Sequence, residues 1–511
     1  MNIVITMRDL FSVSPLIALF LASLIPITVK VLNGNEEQNP AGTLWQGIGG
    51  LLAAAILLMT VYILVYDQEM KTAFGGALIM DGKTVAVGIL TLLVGCVSLF
   101  LMYDNPSTRG EQFSELVFLT LNSIFGMLVL LAANDLIILF VGLEMMSLSL
   151  YIMIAISHEQ KLSKEAALKY FILGGLASAI LLYGISFIFG SAESTSLAVI
   201  LERTPELIVN SKLYLFGISL AILGFCFKVS IFPFHAWTPD VYQGSPTPHA
   251  AFMATAVKAV SFIAFMRLME SKALEGSAAL LNVLQWMAVF TMIVGNVGAI
   301  MQNNFKRMLA YSSIAHSGYL LVGLITVGLE PVNGALTLGL GAPAAVIFYL
   351  IGYSIMSLGA FAIITLFERD EDASISIEDL AGYARKRPVM ALSLTVCLLS
   401  MAGIPPTLGF FGKFYLFTTA MDQGLVWLAL WGMLNSVIAV AYYLRPIVVM
   451  YMRDGEAVEA PKALNATRAA LIFCALLIVV LGAFSGQLYM LVESALNSGP
   501  AAVTAPPSAS L

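Results

Sequence analysis

Apolar stretches of about twenty residues recur from one end of the chain to the other, separated by short polar breaks. A hydrocarbon core roughly 30 Å thick takes about 20 apolar residues as a helix. On that length the pattern predicts about fourteen transmembrane helices. They fall near 12–32, 44–66, 84–103, 115–133, 135–157, 166–190, 212–238, 249–269, 280–301, 308–329, 343–367, 389–419, 425–451 and 467–492. The stretches are too long and too continuously apolar for the alternating strands of a membrane β-barrel. The expected fold is therefore an all-α polytopic membrane protein. The first stretch lacks a basic leader and a small-residue cleavage site, so it reads as a retained span and not a signal peptide. The Ala/Pro/Ser-rich tail from Asn497 to Leu511 reads as disordered.

Composition narrows the function. Of 511 residues, 59% are hydrophobic and 11% charged, with 25 Lys and Arg against 31 Asp and Glu. That excludes a disordered chain, a disulfide-stapled scaffold and a basic nucleic-acid binder. Cys96, Cys226, Cys397 and Cys474 each stand alone in an apolar run, where packing explains them. The four histidines, His158, His235, His249 and His316, lack metal-ligand spacing, and no phosphate-binding loop, dinucleotide fingerprint or haem-attachment motif is present. Any redox chemistry would thus use electrons carried elsewhere, with no cofactor expected in this chain. Lys and Arg concentrate in alternate loops, among them Lys161, Lys164, Lys306, Arg307 and the Arg385-Lys386-Arg387 run. The positive-inside rule then puts both termini on the outer side of the membrane.

Two windows repeat at one spacing. Leu223-Gly224-Phe225, Lys228 and Phe232 recur as Leu408-Gly409-Phe410, Lys413 and Phe417, and Leu173-Gly174, Ala177 and Leu181 recur as Leu358-Gly359, Ala362 and Leu366, both 185 residues on. That spacing holds five predicted spans, an odd number, so the second copy is expected inverted, as in many transporters. The chain then divides into an N-terminal three-helix segment (1–110), a first five-helix repeat (115–270), a second inverted five-helix repeat (278–453), a C-terminal helix (463–496) and the tail (497–511).

Charge inside a span costs about 2.5–3.5 kcal/mol on insertion scales. Glu144, Lys228, Lys258 and Lys413 nevertheless sit well inside apolar runs. A static ion pair would explain one lysine; the others must be hydrated or spend time neutral, which makes them proton-relay candidates. Pro233 and the Pro405-Pro406 pair lie near Lys228 and Lys413, predicting discontinuous helices whose freed backbone groups admit water. His235, just past Pro233, and His316, flanked by serines, are further candidates because histidine titrates near neutral pH. Lys169, Asp135 and Arg445 lie nearer span ends, where snorkelling accounts for them equally well.

The segments Phe234-His235-Ala236-Trp237-Thr238-Pro239-Asp240-Val241-Tyr242-Gln243-Gly244, Lys306-Arg307-Met308-Leu309-Ala310-Tyr311-Ser312-Ser313 and Gly403-Ile404-Pro405-Pro406-Thr407-Leu408-Gly409-Phe410-Phe411-Gly412-Lys413 resemble signatures of the antiporter-like membrane subunits of respiratory complex I, the proton-translocating NADH:quinone oxidoreductase. The resemblance runs from the second span to the fourteenth. Lys413 resembles N- and L-type subunits, since M-type chains carry glutamate there. The chain lacks the long lateral helix of L-type subunits, and Ala167-Leu168-Lys169-Tyr170-Phe171 looks most like the N type. The resemblance implies a charged pair at Glu144 and Lys228, a central relay lysine at Lys258, a terminal proton donor or acceptor at Lys413, and a link between the halves at His316. Tyr443 stands at the repeat position of Lys258. It further implies a bacterial inner-membrane protein that touches lipid and M-like and K-like subunits, moves protons, and meets quinone and NADH only through the whole complex. Flavin and iron–sulfur centres would sit in other subunits. Three rivals are a multi-subunit Na⁺/H⁺ antiporter subunit, a stand-alone solute transporter and a purely structural membrane scaffold.

Overall fold

A computed structural model describes residues 6–34, 40–66, 72–108, 110, 112–156, 161–329, 341–368, 375–456 and 465–497. The expected disordered tail, from residue 498 on, lies outside these. The chain is an all-α, multi-pass membrane protein. Twelve of its described helices are long and apolar enough to cross a bilayer unaided. Each coincides with an expected span to within a few residues except Asn465–Ala483, which covers only the first part of the expected 467–492. The other two expected spans, 212–238 and 389–419, are interrupted. Lys212–Lys228 is followed by a break and then Trp237–Gly244, and Pro388–Ala402 is followed by a break and then Leu408–Asp422. The last span is also divided, into Asn465–Ala483 and Ser485–Asn497. Leu197–Asn210, a helix not foreseen in the sequence, meets Lys212–Lys228 at a bend of 119°.

Hydropathy alone does not say which spans are central, because lipid is as apolar as the interior. The structure decides it. The Thr247–Met269 helix is wholly buried and the Phe305–Val327 and Ala342–Phe367 helices nearly so, whereas in Ser14–Leu32 and Asn465–Ala483 only about a third of the residues are buried. The three buried helices carry Lys258, His316 and a set of tyrosines. Inside Thr247–Met269, residues Met253–Val257 wind as a π-helical segment immediately before Lys258.

Neighbouring spans approach closely through glycine. A methyl at Gly184 would lie 2.6 Å from the amide nitrogen of Ala221, and one at Gly217 would lie 2.9 Å from that of Ile188. These two glycines let the Lys161–Ala192 and Lys212–Lys228 helices pack backbone to backbone, which fixes Lys228 against its neighbours. The 185-residue spacing of the two lysines does not extend to the breaks. Lys228 is the last residue before its break, whereas Lys413 lies beyond its own.

At one end of the bundle Asp81 caps the Gly82–Asp104 helix, its Oδ1 accepting from Thr84 N–H at 2.9 Å. The same carboxylate pairs with both terminal nitrogens of Arg267, at 3.0 and 2.8 Å, and Arg267 also donates to Thr84 Oγ1 and the Leu131 carbonyl. Lys83 and Glu270 form a second pair beside it. Burial alone would raise the Asp81 carboxyl, but the Arg267 guanidinium and then Lys83 outweigh it and hold the group at about 2, from an ordinary 3.8. Because the folded value is the lower one, the pair's stabilisation is complete above about pH 4 and is lost as pH falls towards 2. Asp81→Asn should destabilise the protein by about 3 kcal/mol, leaving a buried guanidinium without its countercharge. A lowered unfolding midpoint at neutral pH checks this; an unchanged midpoint would mean that Thr84 and the Leu131 carbonyl satisfy Arg267 alone.

Candidate functional site

Lys228, Lys258 and Lys413 each have a defined set of oxygen acceptors and lie over a tyrosine ring. Lys228 ends its helix, where the macrodipole is negative and carbonyls lack intrahelical partners. Its Nζ donates to Ser147 Oγ at 2.5 Å and stands 5.4 Å from the centroid of Tyr170 and 5.9 Å from that of Tyr151. Tyr170 in turn stacks on Trp237 at 4.7 Å, just beyond the break. Trp237 Nε1 donates to the Phe227 carbonyl at 3.1 Å, and Phe232 N–H donates to Thr291 Oγ1 at 2.9 Å, so side chains satisfy backbone groups released by the break.

Among the described residues no hydrogen bond or ion pair joins Glu144 to Lys228, the pair whose opening and closing the resemblance implies. Glu144, half-buried one turn before Ser147, accepts from Ser178 Oγ, while Lys228 takes Ser147 as its acceptor. The two charges are held apart, each with a neutral serine partner.

Lys258 donates to both the carbonyl and the hydroxyl of Ser313, at 2.6 and 2.5 Å, and lies 5.3 Å from the Tyr353 centroid. Tyr353 OH donates to the same Ser313 Oγ at 3.0 Å. One turn along, His316 sits between two phenols: Nδ1 is hydrogen-bonded to Tyr349 OH at 2.7 Å and Nε2 to Tyr443 OH at 2.9 Å. Tyr443 OH also bonds Ser312 Oγ. Spacings of three and four residues put Ser312, Ser313, His316 and Ser317 along one side of the helix, and Tyr349 and Tyr353 along one side of another. The His316 and Tyr353 rings are 4.8 Å apart, and Tyr319 meets His316 edge-on at 5.7 Å.

Lys413 closes the row. Its Nζ lies 5.0 Å from the Tyr319 centroid and donates to Ser436 Oγ at 2.8 Å. It also donates at 3.0 Å to the carbonyls of Met401 and Ala402, the last residues of the helix ended by the break. The proline pair thus does more than interrupt a helix: it exposes two acceptors, and the lysine takes them. Gly403, at φ +86°, makes the turn, and a methyl there would lie 3.1 Å from Lys413 Cδ and 3.2 Å from its Nζ.

Among the described residues the structure therefore groups Lys258, His316, Tyr443 and Lys413 by contact. Lys228 and Glu144 form a second group with no direct side-chain hydrogen bond to the first. His235 stands apart, half-buried in the break with its ring against Phe232 at 5.6 Å. Sequence reasoning missed the partners: Ser147, Ser178, Ser313 and Ser436, and the tyrosines beneath the lysines. Serine spacing around Glu144 and His316 was the available signal; the tyrosines carry none in so aromatic a chain. It also missed a buried ion pair, Lys306 with Glu368, because both lie at span ends that read as loops.

Residues 133–439 match the model of the NADH:quinone oxidoreductase/Mrp antiporter transmembrane family. A Bdellovibrio bacteriovorus protein named NADH-quinone oxidoreductase subunit N is 59% identical over 97% of this chain and 100% of its own length. The chain belongs to the subunit N family. A Solibacter usitatus protein named NADH-quinone oxidoreductase subunit N 1 is 41% identical over 86% of this chain and 88% of its own length. A chain of respiratory complex I from Thermus thermophilus, solved with bound aureothin, superposes with a TM-score of 0.77 at 31% identity, covering 93% of this chain and 98% of that one. The family-matched region spans Glu144, Lys228, Lys258, His316 and Lys413 and stops just before Tyr443.

Gly403→Ala should destabilise this subunit N family member by about 1 kcal/mol or more, since alanine resists a positive φ. Its methyl also crowds Lys413. A lower unfolding midpoint in detergent would check this, and a wild-type midpoint would mean that the break relaxes around a side chain.

Proposed function

We propose that this chain is the N-type membrane subunit of a bacterial NADH:quinone oxidoreductase and carries protons across the membrane while quinone is reduced elsewhere in the complex. The observation that carries this reading is the row of buried titratable side chains from Lys258 through Ser313, Tyr353, His316, Tyr443 and Tyr319 to Lys413. None of these groups needs a metal or cofactor to pass a proton. Flavin and iron–sulfur centres belong, on this reading, to other subunits. The chain sits in the inner membrane with both termini outside, touches lipid, and adjoins M-like and K-like subunits.

In the proposed cycle, approach of Glu144 to Lys228 favours the ammonium, and their separation releases its proton towards Lys258. The separated arrangement, with serine partners on both charges, supports the released state. Each unit of change in proton affinity is about 1.36 kcal/mol, so a few units suffice to direct a proton. From Lys258 the proton passes by His316 to Lys413 and leaves there. Tyr443 orients His316 and can relay; His235, away from the row, has a lesser part at the break.

Lys258→Met in the assembled complex should abolish proton pumping in vesicles and lower NADH:quinone turnover at least about tenfold, with assembly intact. Normal pumping and turnover would sink the relay. The family description also covers Mrp antiporters, and sodium-dependent transport without NADH or quinone would favour that second reading.

A further inference from the structure

Lys306 and Glu368 form an ion pair at 3.1 Å in which the lysine side chain is 0% exposed and the carboxylate 2%. Both lie at helix ends, where a lysine could snorkel to water. Instead they turn inward. Glu368, just past the Ala342–Phe367 helix, accepts through Oε2 from Asn105 Nδ2 at 2.6 Å and from the Thr247 backbone N–H at 3.1 Å. Lys306 Nζ, in the first turn of the Phe305–Val327 helix, also donates to the Ser245 carbonyl at 2.7 Å. Asn105 follows the Gly82–Asp104 helix, and Thr247 begins the helix that carries Lys258. Four elements converge on two charges.

Three of the four carry relay groups. The helix pinned at Thr247 holds Lys258. The helix pinned at Lys306 holds Ser313, seven residues and roughly 10 Å further along its axis. The helix that ends before Glu368 holds Tyr349 and Tyr353. A buried ion pair is a poor stabiliser compared with apolar packing; its best-attested use is to fix register. At the far end the Lys258 helix is held by Arg267 on Asp81 and by Glu270 on Lys83. Lys258 and the π-helical segment lie between two charged anchors.

We propose that the Lys306–Glu368 pair is a positioning clamp that sets the register of the Lys258 helix against the Ser313 helix, so that the ammonium meets both oxygens of Ser313. The clamp rests on the relay reading above. It is neutral overall, so it acts through placement: an axial slip of one ångström at Thr247 would undo hydrogen bonds of 2.5 and 2.6 Å at Lys258.

The test uses Glu368→Gln, Lys306→Met and the double variant in the assembled complex, beside Lys258→Met. Turnover and pumping are normalised to assembled complex and followed across pH. The clamp requires each single variant to lower turnover per complex about tenfold or more, as small misplacements do. It also requires a displaced pH profile, because Lys258 loses its acceptors, and a double variant no worse than the more affected single one. Loss confined to the amount of complex, with turnover per complex and pH profile unchanged, would overturn it and leave a purely structural pair. So would normal behaviour of both single variants while Lys258→Met is impaired. A normal Lys258→Met instead removes the relay itself, and the clamp with it. Should Glu368→Gln fail to assemble, Lys306→Met alone carries the test: a displaced pH profile is expected, and an unchanged one overturns the clamp.

Discussion

A charge inside a bilayer must find its partners within the protein, and much of this architecture follows from that requirement. Water and lipid offer none at depth, so each lysine needs oxygen acceptors supplied by neighbouring helices. A continuous helix has few to give, because its carbonyls are already bonded. Broken helices do. Lys413 takes two carbonyls released at the Gly403–Thr407 break together with Ser436, and Lys228 ends its helix beside the other break, bonded to Ser147. Discontinuity and buried charge are thus one feature seen from two sides.

The choice of acceptors has a chemical consequence. Serine and backbone oxygens accept from an ammonium without neutralising it, unlike a carboxylate. They leave the proton held by several hydrogen bonds and no countercharge, a condition in which modest electrostatic change can release it. Where the protein needs fixed geometry it uses opposite charges, as at Asp81–Arg267 and Lys306–Glu368. Along the row from Lys258 to Lys413 it uses neutral oxygens and phenols, the arrangement that the proposed relay calls for. The two kinds of site alternate along the Lys258 helix: anchored, free, anchored.

The helical segments, their lengths and the membrane setting were legible in the sequence because hydropathy and a bilayer's thickness fix them together. So were the four charges at depth, since charge in an apolar run is rare and easy to see. The proline breaks were legible too, though not their geometry. Leu197–Asn210 was not, because a short helix with a mixed polar and apolar sequence resembles a polar loop when only apolar length is counted. The Lys306–Glu368 pair was hidden for a similar reason: charges at span ends ordinarily face water, and nothing local says that these two turn inward towards each other across 62 residues of chain.

By itself the sequence determined the class of fold, its succession of apolar spans and which side chains must be explained at depth, since these depend on local composition. Tertiary structure alone decided who partners whom. It separated Glu144 from Lys228, gave Lys258 to Ser313, and set His316 between Tyr349 and Tyr443. Those contacts join residues tens to more than a hundred positions apart. They depend on how helices of nearly uniform hydropathy rotate and pack against one another, and a linear pattern of apolar residues carries almost no information about that rotation.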